Sequence, residues 1–280
     1  MVRRARRPSA AVRLVTLSSD VGSAYAAQMK AVLLRELPPE RVVDLAHDLR
    51  PHDVAEAAFV VRAMAERFPA GTVHVVVVDP GVGGRRAPLA VACADGSFVV
   101  GPDNGVLVPL VQALGGGVAY RLDPGRLAAP VRVGTTFDGR DLFAPAAARL
   151  ARGAAIERLG RRAHLSRPAT TAPHRLPHGA VGRVVHADRF GNLVTNVPRA
   201  WLPARPGVVS VRVGRRRLRL TWVESYEAGG ARRLVVLGSS FGTVEIAAPR
   251  GRAEDRLGAS TGAPVAFAWG RAGAARRRKS

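Results

Sequence analysis

The feature that most constrains the fold is the stretch "VVVVDPGVGGRRAP", residues 75–88, in which four consecutive valines run into Asp79. A short apolar run, β-branched throughout, reads as a strand buried on both faces. Such a strand needs a layer of helices on each side of its sheet. The charges at its end carry a second message, because in open α/β sheets ligands gather at the carboxyl ends of the strands. Asp79, Arg85 and Arg86 stand at such an end, among glycines that let backbone approach a ligand closely.

The surrounding segments agree with a layered α/β unit. "VRLVTLSSD" and "ERVVDLAHDL" read as strands, while "AYAAQMKAVLLREL" and "DVAEAAFVVRAMAERF" have helical spacing, the latter with Asp53 as N-cap. "LAVACA" and "SFVVGPDNG" add strands, and a helix is expected around Leu142–Arg152. Strands alternating with helices predict a mostly parallel sheet flanked by helices. Beyond an Arg-, Pro- and His-rich stretch the pattern changes to short strand-like runs separated by Gly and Pro, from "AVGRVVHAD" to "APVAFAWG". That half reads as a smaller all-β, barrel-like domain. The expected organisation is a basic tail at 1–11, an α/β domain at 12–160, a linker at 161–178, the barrel at 179–270 and a basic tail at 271–280.

Composition removes several function classes. The single cysteine, Cys93, excludes an internal disulfide and a multi-cysteine zinc site, and reads as a small core residue. No metal-ligand spacing appears among the seven histidines. The opening basic residues lack the apolar core of a secretory signal, and no apolar run nears the roughly 18–20 residues of a membrane span. A protein of the cytoplasm, without membrane association, is expected. The net charge of +22 raises nucleic-acid binding. Yet Lys30 and Lys279 are the only lysines, the arginines are scattered as well as clustered at the termini, and no aromatics alternate with them. Nucleic acid is therefore not an expected partner.

Five polar clusters fall where strands end. In "SSDVGSAY", Asp20 reads either as a helix N-cap or as a carboxylate for the vicinal hydroxyls of a ribose. "DPGVGG" is neither a P-loop nor a GxGxxG fingerprint. "GPDNGVL" is mainly a turn signal, with Asp103 and Asn104 structural. "TTFDGRDLFAP" gathers Asp138, Arg140 and Asp141, either as charge-paired scaffolding or as part of a site. In "HADRFGNLVTN" a turn accounts for Gly191 and Asn192, while Phe190 beside Asn192 also suits stacking on a nucleobase and bonding to its edge. A later turn, "LGSSFGTVEIA", offers Ser239 and Ser240 to a carboxylate.

In this order the segments resemble the S-adenosyl-L-methionine hydroxide adenosyltransferase family, related to the chlorinases and fluorinases. The carriers are "SSDVG", "VVDLAHDLRPHDVAEAAF", "DPGVGGRR", "GPDNGVL", "TTFDGRDLFAP", "DRFGNLVTN" and "SSFGTVEIA", spanning about residues 13–268. The resemblance implies an α/β domain joined to a β-barrel, and a homotrimer with the ligand between neighbouring subunits. It also implies attack of water on the ribose C5′ of S-adenosylmethionine, which is substrate rather than cofactor, with no metal. Position by position it makes Asp79, Arg86 and Asp138 the catalytic set. It places Asp20 and His52 at the ribose, Asp188 near the methionine amine, Phe190 and Asn192 at the adenine, and Ser240 near the methionine carboxylate.

Two departures stand out. Hydrolases of the family read "TFHGRD" where this chain reads "TFDGRD", so Asp138 replaces a histidine. Asp79 and Asp138 would repel each other unless Arg86 lies between them or one is protonated. The loop after Asp20 is also shorter than usual and lacks a second carboxylate for the methionine ammonium. Hydrolysis is the expected activity, binding without turnover the alternative, and halogenation ranks below both.

Overall fold

The computed structural model describes residues 12–127, 134, 136–167 and 172–270, so both expected basic tails lie outside the described residues. The chain forms two compact units, residues 1–170 and 171–280.

The first unit is built on a seven-stranded sheet ordered β2-β1-β3-β5-β4-β6-β7. Its strands are β1 (Val15–Ser19), β2 (Val42–Ala46), β3 (Val73–Val77), β4 (Pro88–Cys93), β5 (Phe98–Pro102), β6 (Gly117–Leu122) and β7 (Gly160–Ala163). Helices α1 (Gly22–Leu34), α2 (Val54–Ala65), α3 (Val108–Ala113), α4 (Pro124–Leu127) and α5 (Ala144–Ala151) accompany it. The valine run is the fully buried strand its sequence implies. Val73, Val75 and Val77 share one core with Met29 and Leu33 of α1 and Ala147 of α5, while His74, Val76 and Val78 are equally buried on the other face. Asp53 caps α2, its side chain accepting a hydrogen bond from the Glu56 amide at 3.0 Å.

Strand direction departs from the mostly parallel sheet expected. The β2-β1-β3-β5 half is parallel, but β4 runs antiparallel to β5 and β6, and β6 antiparallel to β7. For β4 and β5 the cause is connection length: a tight turn through Gly96, at φ 85°, joins them, and a turn that short can only reverse the chain.

The second unit is a barrel of β9 (Gly179–Ala187), β10 (Leu193–Pro198), β11 (Val208–Val213), β12 (Arg216–Trp222), β13 (Val235–Gly238), β14 (Thr243–Ala247) and β15 (Pro264–Trp269). Pairing of β9 with β10 closes it, β8 (His174–Leu176) lies along β9, and α6 is Ala253–Leu257. Inward residues such as Val209, Val211, Leu220, Val265 and Phe267 alternate with exposed ones, as a small filled barrel requires. The stretch expected as a linker carries edge strands at its ends, β7 in the first sheet and β8 against the barrel.

Candidate functional site

The first cluster forms at the carboxyl ends of the parallel strands. The Asp20 amide bonds the Val77 carbonyl at 3.4 Å, which joins the end of β1 to the end of β3, two residues before Asp79. From Asp79 the chain folds into successive turns, Val82 N–H to Asp79 C=O and Gly84 N–H to Gly81 C=O. A Cβ on Gly81 would lie 3.2 Å from Arg86 Cγ, so glycine lets Arg86 fold back over the strand end. Arg86 Nε donates to both carboxylate oxygens of Asp79, at 3.0 and 2.8 Å, and its Nη2 bonds Asp79 as well.

Asp138 arrives from the other side. It begins a π-helical turn, Gly139–Phe143, that runs into α5. A Cβ at Gly139 would lie 2.7 Å from Met29 Sδ and 3.2 Å from Val77 Cγ1, so only glycine allows this turn to close on β3. Arg86 Nη2 then donates to Asp138 Oδ2 at 2.5 Å. The guanidinium therefore lies between the two carboxylates, and the repulsion foreseen from the sequence is bridged. The side chains of Asp79 and Asp138 are each 6% exposed and that of Arg86 11%. Burial disfavours the Arg86 charge, but hydrogen bonds and charge from Asp79 and Asp138 outweigh it and hold the guanidinium above its ordinary value. Its carbon also lies 5.7 Å from the Phe143 ring centroid. Arg85 is exposed.

Asp20 does not cap α1; Val21 holds that position without a side-chain bond. Asp20 Oδ2 accepts instead from the His52 amide at 2.9 Å, and His52 adopts a left-handed φ of 65°, uncommon outside glycine. These two candidates for the ribose are thus brought together. Arg140 pairs with Asp141 at 2.6 Å and reaches Gln28, the scaffolding option for that motif. Asn104 is structural as well, donating to the Val78 carbonyl at 2.9 Å, and Asp103 accepts from the Ser166 amide.

Sequence reasoning missed a relay beside Asp20. Ser19 Oγ lies 2.8 Å from His47 Nδ1, His47 Nε2 lies 3.1 Å from Asp44, and Lys30 donates to Asp44 at 2.7 Å. Burial raises the Asp44 carboxyl, yet Lys30 and His47 bring it below its ordinary value. The His47 carbonyl also accepts from the Gly22 amide, tying together the loops on either side of Asp20. The spacing of Asp44 and His47 in "DLAH" was the available signal.

The second cluster belongs to the barrel. Asp188 Oδ1 accepts from the Phe190 and Asn192 amides and Oδ2 from the Asn192 side chain, all at 2.9 Å. Asp188 and buried Asn192 thereby build a tight turn that presents Phe190 at 74% exposure. In the neighbouring turn Ser239 does the holding, through Thr243 and the Phe241 amide, while Ser240 is exposed. Near Asp188, Tyr226 donates to buried Glu245 at 2.7 Å. Burial, with Asp188 close by, keeps the Glu245 carboxyl above its ordinary range. Among the described residues no group of three or more His, Cys, Asp or Glu side chains is arranged to hold a metal ion, and no helix is long and apolar enough to cross a membrane.

Comparison with known proteins finds the same two-part organisation. Residues 15–160 match the model of the SAM hydroxide adenosyltransferase N-terminal domain, and residues 182–266 that of the C-terminal domain. A Thermus thermophilus protein named (R)-S-adenosyl-L-methionine hydrolase is 39% identical, over 91% of this chain and 99% of its own. A Salinispora tropica protein of the same name is 36% identical over 89% and 95%. The crystal structure of an uncharacterized conserved protein from Thermotoga maritima, 30% identical, superposes with a TM-score of 0.84 over 91% of this chain and 100% of that one.

Proposed function

Because this chain belongs to the SAM hydroxide adenosyltransferase family, we propose that it hydrolyses S-adenosyl-L-methionine to adenosine and L-methionine. The observation that carries the reading is Arg86 clamped between Asp79 and Asp138 at the carboxyl end of β3. In the reaction a water oxygen bonds to C5′ as the C5′–S bond breaks. The bonding pair leaves with sulfur, which becomes the neutral thioether of methionine, and the water loses a proton. The positive sulfonium already makes a good leaving group, so the enzyme's work is to orient one water in line and strip it of competing solvent.

Asp79, Arg86 and Asp138 are the proposed catalytic set. Ionised carboxylates only accept hydrogen bonds, so Asp79 and Asp138 hold and deprotonate the water, and Arg86 fixes both. An Asp79 carboxylate at the proposed attack site would repel a halide there, which counts against halogenation. Asp20 and His52 are assigned to the ribose, Phe190 and Asn192 to the adenine, Asp188 to the methionine amine and Ser240 to its carboxylate. S-Adenosylmethionine is the substrate, and no cofactor enters the scheme. A homotrimer in which one site draws on two subunits is proposed from the family resemblance, and the proposed location is the cytoplasm.

Incubation with S-adenosylmethionine and chromatography of the products tests the activity, with Asp79→Ala as the inactive control. Adenosine at the level of the enzyme-free blank would overturn it. The second reading, binding without turnover, is motivated by Asp138 in place of histidine: it predicts tight binding by calorimetry, no adenosine, and hydrolysis appearing in Asp138→His. Subunit sharing predicts that mixing inactive Asp79→Ala protein with low-affinity Asn192→Ala protein, with subunit exchange, restores turnover at low substrate at about a quarter of the sites.

A further inference from the structure

The outer face of the barrel carries a charge arrangement that hydrolysis does not use. In the β11–β12 hairpin Arg212 lies directly opposite Arg217, Val213 opposite Arg216 and Ser210 opposite Arg219. Like charges on facing residues oppose strand pairing, and none of these arginines forms an ion pair or side-chain hydrogen bond among the described residues. The face continues across β15, β9 and β8, where Ala266 lies beside Arg212, Val181 beside Ala266 and His174 beside Val181. Strands β8, β9, β11, β12 and β15 contain no acidic residue at all. Between the arginines and Leu176 runs a trough of about 610 Å³ floored by Ser210, Ala266 and Ala268, side chains small enough to let a rod of charge approach.

We infer that this face binds double-stranded nucleic acid through its phosphate backbone, independently of sequence. The sequence sets Arg212, Arg217 and Arg219 within eight residues, and the register of β11 and β12 brings all three to one surface of a chain of net charge +22. Residues two apart along a strand, as Arg217 and Arg219 are, project about 6.7 Å apart. A duplex rises only about 3.4 Å along its axis per phosphate of one strand, but the strand also winds around that axis, which sets adjacent phosphates about twice as far apart, so adjacent phosphates can meet successive arginines. Phe267 and Trp269 point into the barrel core, which leaves no aromatic platform for unstacked bases. The face therefore suits a backbone rather than a single strand.

The test is fluorescence anisotropy of the full chain with a labelled mixed-sequence DNA duplex of about 20 base pairs, from about 50 to 200 mM salt. The variant is Arg212→Gln/Arg217→Gln/Arg219→Gln; the control removes equal charge elsewhere, Arg276→Gln/Arg277→Gln/Arg278→Gln. The face variant is expected to bind at least about tenfold more weakly, with a slope of log K against log salt shallower by about 2.7, that is 0.9 for each lost phosphate contact. The control is expected to lose less than the face variant in both, with circular dichroism and adenosine formation unchanged in either. Equal losses in the two variants would overturn the inference, as would no duplex binding by the wild type. Poly-glutamate competing as well as duplex would assign the face to an acidic polypeptide instead, and a change of mass by light scattering in the face variant would assign it to contact between copies.

Discussion

The two candidate clusters hold their functional groups by opposite means. At the end of β3 the set is assembled from distant parts of the chain, Arg86 reaching Asp79 and Asp138 through bonds that are buried and charged. In the barrel turn everything is local: Asp188 satisfies its own loop within four residues and pushes Phe190 into solvent. The first arrangement fixes position and charge together, which suits a reacting group. The second offers a rigid frame with one free apolar surface, which suits recognition. The difference predicts that damage to the first destroys turnover and fold together, whereas damage to the second changes affinity alone.

Removing the shared cation should have the largest effect. Arg86→Ala leaves two carboxylates facing each other with little solvent, and breaking a buried pair in this way costs about 3–5 kcal/mol. Loss of a preorganised electrostatic partner also lowers kcat by about 10² to 10³. Urea unfolding and steady-state kinetics should show both losses in the same variant; a drop in kcat with stability untouched would mean the bridge is not the element that organises this end of the sheet.

Acid should separate the two units next. His74, buried in β3 and bonded to Thr16, has its imidazole pushed down to about 4, chiefly by burial. A base held neutral by the fold contributes stability above its unfolded value, near 6.5, that is lost as pH falls toward 4. For a depression of this size the loss is about 3 kcal/mol. Glu245 in the barrel is shifted in the opposite sense, its carboxyl raised by burial. A raised acid is penalised where it must ionise, so acidification through its folded value relieves the barrel as it weakens the sheet. All three tryptophans, Trp201, Trp222 and Trp269, belong to the barrel. Tryptophan fluorescence therefore reports that unit, while helical circular dichroism reports mostly the other. The helical transition should fall to lower urea between pH 6.5 and 4 with the fluorescence transition lagging, and His74→Leu should abolish the shift.

The smallest expected effect is on the recognition side. Phe190→Ala removes an exposed ring whose loss leaves stability within about 0.5 kcal/mol. If Phe190 stacks on adenine, KM rises about tenfold at unchanged kcat, the scale of one base stacked on one aromatic ring. A fall in kcat without a change in KM would place Phe190 on the wrong side of the comparison.

How much of this was legible in the sequence follows from the range over which each signal acts. The buried valine strand, the Asp53 cap, core Cys93 and the barrel's alternating strands are local patterns, and each appears as read. Periodicity identifies strands but not their direction, so the antiparallel half of the sheet, which the Gly96 turn begins by reversing β4 into β5, was not visible. Asp20 was legible as a polar strand end but not as the acceptor for a left-handed His52, which depends on a loop 32 residues away. The Ser19–His47 bond spans 28 residues for the same reason. Asp138 was identified by motif, yet its bridge to Arg86 needs the Gly139 turn to close against Val77 and Met29. Spacing along the chain reports none of that.

The central claim is that Arg86, between Asp79 and Asp138, organises a water for attack on C5′. Its most direct test is a single-turnover reaction of S-adenosylmethionine in ¹⁸O-water, with the adenosine product analysed by mass spectrometry for wild type and Arg86→Ala. One ¹⁸O atom in the 5′-hydroxyl of wild-type adenosine, and almost no adenosine from the variant, is the predicted result. Adenosine without ¹⁸O, or labelled adenosine formed equally fast by Arg86→Ala, would contradict it.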